Sequence, residues 1–197
     1  MTDWEGAYVA GDTPWDKGQP SPALVAELRS NPLAGRVLVP GCGSGNDLPA
    51  VLAAGADEVV GLDFAPTAVV RARERFAGVS GIRIEHGDLF ALPEAWSGAF
   101  DAAVEHTCFC AIPRERRPDY AASVARALRP GGTLLAVFYL TPRDDPDPTL
   151  GPPFSSDRDE LRATFSPWFD SVSAGPPGAA FPERLGREEV WRLRRAG

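Results

Sequence analysis

The chain has 197 residues, 44% of them apolar and 24% charged, the balance of an ordinary water-soluble globule. Its 27 acidic against 20 basic residues give a net charge of −7. That argues against nucleic-acid and anionic-membrane partners, which both need a basic face to displace counterions. The longest apolar run, "LLAVFYL" (134–140), is strand length, and three cysteines make no disulfide framework. With no basic leader or apolar run in "MTDWEGAYVAGD", a cytoplasmic location is expected.

In chain order, Thr2-Asp3-Trp4-Glu5 fits a capping box, with Thr2 capping and Glu5 reaching back. In the helix that follows, Trp4 and Tyr8 are four apart and share one face. Such a pair either staples the leader to the core or covers a ligand. Then β-rich runs alternate with amphipathic stretches: strands at 36–40, 58–63, 82–88, 100–106 and 133–140, and helices at 46–54, 66–76 and 115–128. The third helix stops at "RPGG" (129–132). A proline-rich connection (141–156) follows, then a helix at "DRDELRATF" (157–165) and strands at 169–175 and 188–195. A loop of that length leaving a strand's carboxyl end is read as a pocket wall around Gly151, Pro152, Pro153 and Phe154, or else as a plain surface loop. Basic "RERR" (114–117) reads as a solvated helix start and "RLRR" (192–195) as an exposed strand end. Strands separated by helices predict an α/β fold, a Rossmann-like, doubly wound, mostly parallel seven-stranded sheet closed by a C-terminal antiparallel hairpin.

The first strand runs into "VLVPGCGSGND" (37–47), with Gly41, Gly43 and Gly45 at alternate positions. A turn of this kind lets a nucleotide-like ligand approach the backbone. The dinucleotide fingerprint places its third glycine one residue later, so G-x-G-x-G leans away from nicotinamide cofactors. Asp63 ends the second strand, suited to accept from two ribose hydroxyls. Asp88, past the third strand, suits an exocyclic adenine amine, and Leu89 offers the ring an N–H and an apolar face. Together they describe an adenosine site.

The chain resembles a class I S-adenosylmethionine (SAM)-dependent methyltransferase, and more narrowly the halide/thiol branch of the thiopurine S-methyltransferase-like family. The likeness rests on "TPWDKG" (13–18), "VPGCGSGND" (39–47), "VVGLD" (59–63), "GDLF" (87–90), "CFCAI" (108–112), "RPGG" (129–132) and "GPPF" (151–154), in family order. The resemblance implies SAM as cofactor, S-adenosylhomocysteine (SAH) as product and a small-molecule methyl acceptor. It implies an N-terminal lid (1–35) whose Trp4, Tyr8 and Trp15 close over the cofactor, a cofactor-binding core (36–140) and a substrate-side loop with its hairpin (141–197), all one domain. Position 8 departs, being Tyr where plant members carry Trp. Cofactor contacts are implied at Gly41, Asp63, Asp88, Leu89 and His106, with Gly43 in the same turn, and the acceptor pocket falls to Trp15, Cys108, Cys110 and Phe154.

Transfer to a halide or thiolate is an in-line displacement that an apolar pocket favours and that needs no dedicated base. His106, at the end of the fourth strand, is either a base for a thiol or a packing or cofactor contact. His86 reads as a strand-end residue with a satisfied hydrogen bond. Cys108 and Cys110, two apart, would share a strand face; C-x-C lacks zinc spacing, so no metal is expected. The rival readings are an O- or N-methyltransferase and a SAM-binding module without catalysis.

Overall fold

The computed structural model describes residues 2–144, 147 and 150–197. Strands β1 (Gly35–Pro40), β2 (Ala56–Asp63), β3 (Ile82–His86), β4 (Phe100–His106), β5 (Leu128–Tyr139), β6 (Phe169–Gly175) and β7 (Glu188–Arg195) form a seven-stranded sheet in the order β3-β2-β1-β4-β5-β7-β6. The first five run parallel, and β7 inserts antiparallel between β5 and β6. The helices are α1 (Trp4–Ala10), α2 (Pro22–Ser30), α3 (Leu48–Ala53), α4 (Pro66–Arg75), α5 (Arg117–Ala127) and α6 (Arg158–Phe165).

Alternation along the strands sends successive side chains to opposite faces, and each face carries its own core. On one face Val37, Val39 and Val59 pack against Leu24 of α2, Leu48 of α3 and Val69 of α4. On the other, Leu38, Ala103 and Phe138 pack against Tyr120 of α5 and Phe165 of α6. Helices on both faces of a largely parallel sheet make the fold doubly wound, as the alternation predicts.

This arrangement gathers the functional segments at one edge. The parallel strands all end on the same side, so the turns after β1, β2, β3, β4 and β5 emerge together, where open α/β sheets bind ligands. Because β7 runs the other way, its first residue, Glu188, pairs with Tyr139 at the end of β5. The stretch before β7 therefore arrives at that edge too.

Several local expectations need correction. Asp3, not Thr2, caps α1, accepting from Gly6 N–H at 2.8 Å. Glu5 accepts instead from the Thr67 N–H and hydroxyl at 3.0 and 2.6 Å, which ties the leader to the start of α4. Helix α3 begins only at Leu48, since the side chains of Asn46 and Asp47 are engaged elsewhere. Helix α2 was not anticipated, although Ser21-Pro22 supplies an N-cap and a first-turn proline. The "RERR" segment is not simply solvated, because Arg117 is buried. In "RLRR", Arg192 folds back onto Glu27 and the Asn31 carbonyl, at 3.2 and 2.7 Å.

Candidate active site

The glycine turn is shaped by two close approaches. Gly41 and Gly43 both have positive φ, 61° and 54°. A Cβ at Gly41 would lie 2.6 Å from the Cys108 sulfur, and one at Gly43 would lie 2.6 Å from the Tyr8 hydroxyl. Only glycine fits under both constraints. Asp63, buried at the end of β2, accepts from Gly43 N–H at 2.8 Å and Ala65 N–H at 2.9 Å. Burial pushes its carboxyl above the usual carboxylate range, and the Ala65 and Gly43 N–H groups offset only part of that. Asp88 is exposed at the same edge, accepts from Phe90 N–H at 2.9 Å and is followed by buried Leu89. His86 meets the Phe64 carbonyl at 3.0 Å, the satisfied strand-end residue anticipated.

The leader lies over this turn. Trp15 packs edge-on against Trp4 and Tyr8, with ring centroids 5.1 and 5.8 Å apart. Its indole N–H donates to the Tyr8 hydroxyl at 3.1 Å. Next in the chain, Asp16 accepts from the Ser44 hydroxyl and the Asn46 amide, both at 2.5 Å. Lys17 then pairs with Glu183 at 3.0 Å. "TPWDKG" is thus one clip across the aromatic cluster, the glycine turn and the segment before β7. Sequence reading found its aromatics but missed the role of Asp16, a carboxylate beside a conspicuous tryptophan.

At the end of β4, His106 is held on both sides. Its Nδ1 lies 2.7 Å from Asp47 Oδ2, and Arg184 Nη1 lies 3.1 Å from its Nε2. Arg184 Nη1 also reaches Glu188 Oε1 at 3.0 Å, and Asp47 Oδ1 accepts from Ser21 N–H at 2.7 Å. Burial works against an imidazolium, but the Asp47 carboxylate outweighs it and raises the His106 pKa, with Arg184 opposing. Asp47 is held below its usual range because the charge and hydrogen bond of His106 overcome its burial. Asp47, Arg184 and Glu188 were not singled out from sequence; they lie 59, 78 and 82 positions from His106 and no local pattern links them.

Past His106 the chain turns sharply. Thr107 has φ 62°, the one non-glycine residue with positive φ among the described residues. Fully buried Glu105 fixes the turn, accepting from Phe109 N–H at 2.8 Å and from the Tyr120 hydroxyl. Cys108 and Cys110 therefore do not share a strand face as expected; they sit in a turn at the β4 end. Burial pushes the Cys110 thiol up to about 12, so it stays protonated. Phe154 reaches this turn, donating its N–H to the Cys110 carbonyl at 2.7 Å.

The residues present fit an adenosine-bearing cofactor: a turn with three alternate glycines, a buried carboxylate at the end of β2, an exposed one after β3 and an aromatic cover. No group of three or more His, Cys, Asp or Glu that could hold a metal ion occurs among the described residues. Nor is any described helix long and apolar enough to cross a membrane.

Comparison with known proteins agrees with that fit. The family model described as thiopurine S-methyltransferase matches residues 1–189. The chain is 33% identical over 200 residues to a probable thiol methyltransferase 2 of Arabidopsis thaliana, covering 98% of this chain and 84% of that protein. Identity to thiocyanate methyltransferase 1 of the same plant is 34% over 202 residues, with the same coverages. Among solved structures, one described for conversion of a disulfide bond into a thioacetal group during echinomycin biosynthesis superposes with a TM-score of 0.77 at 26% identity, covering 93% of this chain and 84% of that one. The N-methyltransferase NodS of Bradyrhizobium japonicum WM9, bound to SAH, shares the fold with a TM-score of 0.72 at 16% identity, covering 98% and 97%. With its family motifs at the ligand edge of the sheet and near-full-length relatives, the chain belongs to the thiopurine S-methyltransferase family of SAM-dependent methyltransferases.

Proposed function

We propose that the protein methylates a small soft nucleophile, a thiol, hydrosulfide or halide, in the cytoplasm. The observation that carries this reading is the near-complete coverage by thiol and thiocyanate methyltransferases, beside a His106 engaged by Asp47 on one ring nitrogen and Arg184 on the other. When bound, SAM supplies an electrophilic methyl group on a sulfonium centre. In this chain Asp63 would accept from the ribose hydroxyls and Asp88 from the adenine amine, with Leu89 against the ring. Gly41 and Gly43 let the ligand lie on the backbone, and Trp4, Tyr8 and Trp15 cover it and keep water out. Trp15, Cys108, Cys110 and Phe154 would border the acceptor, and the two thiols, held protonated by burial, keep that wall uncharged. His106, with Asp47 on one nitrogen and Arg184 on the other, is better suited to shaping the wall than to taking a proton.

A second reading has one observation in its favour. The Asp47 carboxylate makes His106 more basic, so a neutral thiol or hydroxyl could lose its proton there if Arg184 moved off Nε2. Headspace gas chromatography with SAM and either iodide or hydrosulfide tests the first reading. Iodomethane or methanethiol is the expected product, and two silent vials beside active turnover of a phenol would overturn it.

A further inference from the structure

Arg117 differs from the basic residues around it. Its side chain is 1% exposed, yet each of its three guanidinium nitrogens is hydrogen-bonded. Nη1 donates to Glu160 Oε1 at 2.6 Å and to the Ser155 carbonyl at 3.1 Å, Nη2 to the Phe154 carbonyl at 3.3 Å and Nε to the Ile112 carbonyl at 3.3 Å. The cation also lies 4.6 Å over the Phe109 ring, and Arg114 grips the same Glu160 carboxylate. One side chain thus joins three separate pieces of chain: the turn after β4, the end of the proline-rich connection and α6.

Those pieces border the ligand edge. The turn carries Cys108, whose sulfur would meet any Cβ at Gly41. The connection carries Phe154, whose N–H is bonded to Cys110 in that turn. A buried cation is costly unless its donors are satisfied, and three carbonyls plus a carboxylate in different directions call for a planar fork rather than an ammonium. Helix α5 does not need it for anchorage, because Tyr120, Ala121 and Val124 already bury its apolar face.

The geometry points to Arg117 as a positioning residue that sets acceptor specificity. It stitches the 151–156 segment onto the 108–112 turn, so that Phe154 forms a fixed wall admitting small nucleophiles and excluding larger ones. This role rests on the thiol or halide reading above. A wall held rigidly aligns a small acceptor; a loose one costs it alignment while making room for bulk.

The test compares the wild type with Arg117→Lys and with the milder Glu160→Gln, on the full chain. Three quantities are read: SAH affinity, kcat/KM for iodide, hydrosulfide and thiophenol, and the rate of N-ethylmaleimide addition to Cys110 in the SAH-bound protein. Stitching predicts about tenfold faster Cys110 modification, a value set by local opening. It also predicts an iodide kcat/KM down about tenfold, a thiophenol kcat/KM unchanged or higher, and SAH affinity within about twofold of wild type. Equal losses across the acceptors, or Cys110 modification at the wild-type rate in both variants, overturns the role. If Arg117→Lys does not fold, Glu160→Gln decides alone. A wild type active on iodide whose acceptor ratios survive both substitutions removes this role only, whereas a wild type that turns over none of the three removes the functional reading along with it.

Discussion

The hydroxyl of Tyr8 sits where a side chain at Gly43 would have to go, 2.6 Å from that Cβ position, and takes the indole N–H of Trp15 at 3.1 Å. The leader and the glycine turn therefore fit as a matched pair. Tyr8→Phe keeps the ring but leaves the indole N–H without its acceptor, at about 0.5–1.5 kcal/mol, so SAH affinity is expected to fall about 2- to 10-fold. Gly43→Ala combines a side-chain clash with a φ of 54° and should cost far more. Isothermal titration of SAH into both variants gives the ranking; comparable losses would deny that the two positions are matched.

Asp63 illustrates a stability–function conflict. Burial raises its pKa, so ionising it costs folding stability relative to the unfolded chain, a cost that builds as pH rises from the ordinary value of 3.8 to the folded pKa. Asp63→Asn keeps the shape and removes the charge. Its amide can accept from only one of the Gly43 and Ala65 N–H groups and turns an NH2 against the other, so Tm should fall, and on the proposed ribose contacts SAH affinity should fall on the order of a hundredfold. His106→Ala should leave SAH binding nearly intact. Tight SAH binding by Asp63→Ala would falsify the ribose assignment.

The Asp47–His106 pair makes stability depend on pH in a defined window. Asp47 is shifted down, so its share is present above the ordinary carboxylate value of 3.8 and disappears as pH falls through its folded pKa. His106 is shifted up, so its share is complete below the ordinary value of 6.5 and is lost as pH rises through its folded pKa. The stability gap between wild type and His106→Gln, measured by urea unfolding, should be widest near pH 5 and should narrow by pH 9. A gap that widens toward alkaline pH would mean that the ring is held neutral by Arg184.

Much of this was legible in the sequence, and the boundary is physical. Strands β6 and β7 fall at 169–175 and 188–195, as read from their β-rich runs, and α4 starts at Pro66 as its first-turn proline implied. Local chemistry announces such elements. The insertion of β7 between β5 and β6 is a pairing choice that strand composition does not encode. The same holds for side chains. Asp63 stands at the end of β2, where its strand pattern put it, whereas Arg117 was misread because its acceptors at Phe154, Ser155 and Glu160 lie 37 to 43 residues away. Glu5 looked like a capping partner, yet Thr67 outcompeted the leader's own backbone for it.

Asp16 offers the sharpest probe of how the leader is held on the glycine turn. Its carboxylate takes the Ser44 hydroxyl and the Asn46 amide on the glycine turn, and Gly18 N–H at 2.9 Å within its own loop. Burial would raise its pKa, but those bonds outweigh it and hold the group below the usual range. The latch is therefore present above the ordinary value of 3.8 and released as pH falls through the folded pKa. Asp16→Ala should hardly move the apo Tm, because the core packs without it, but should weaken SAH binding about tenfold by raising the cost of ordering the leader. Tryptophan emission would report ordering of the leader through Trp4 and Trp15, together with Trp96, Trp168 and Trp191 outside it. On adding SAH, the wild type should show a change that saturates with binding, and Asp16→Ala the same change at higher SAH. A variant that binds SAH like wild type would mean that the aromatic cluster holds the leader in place unaided.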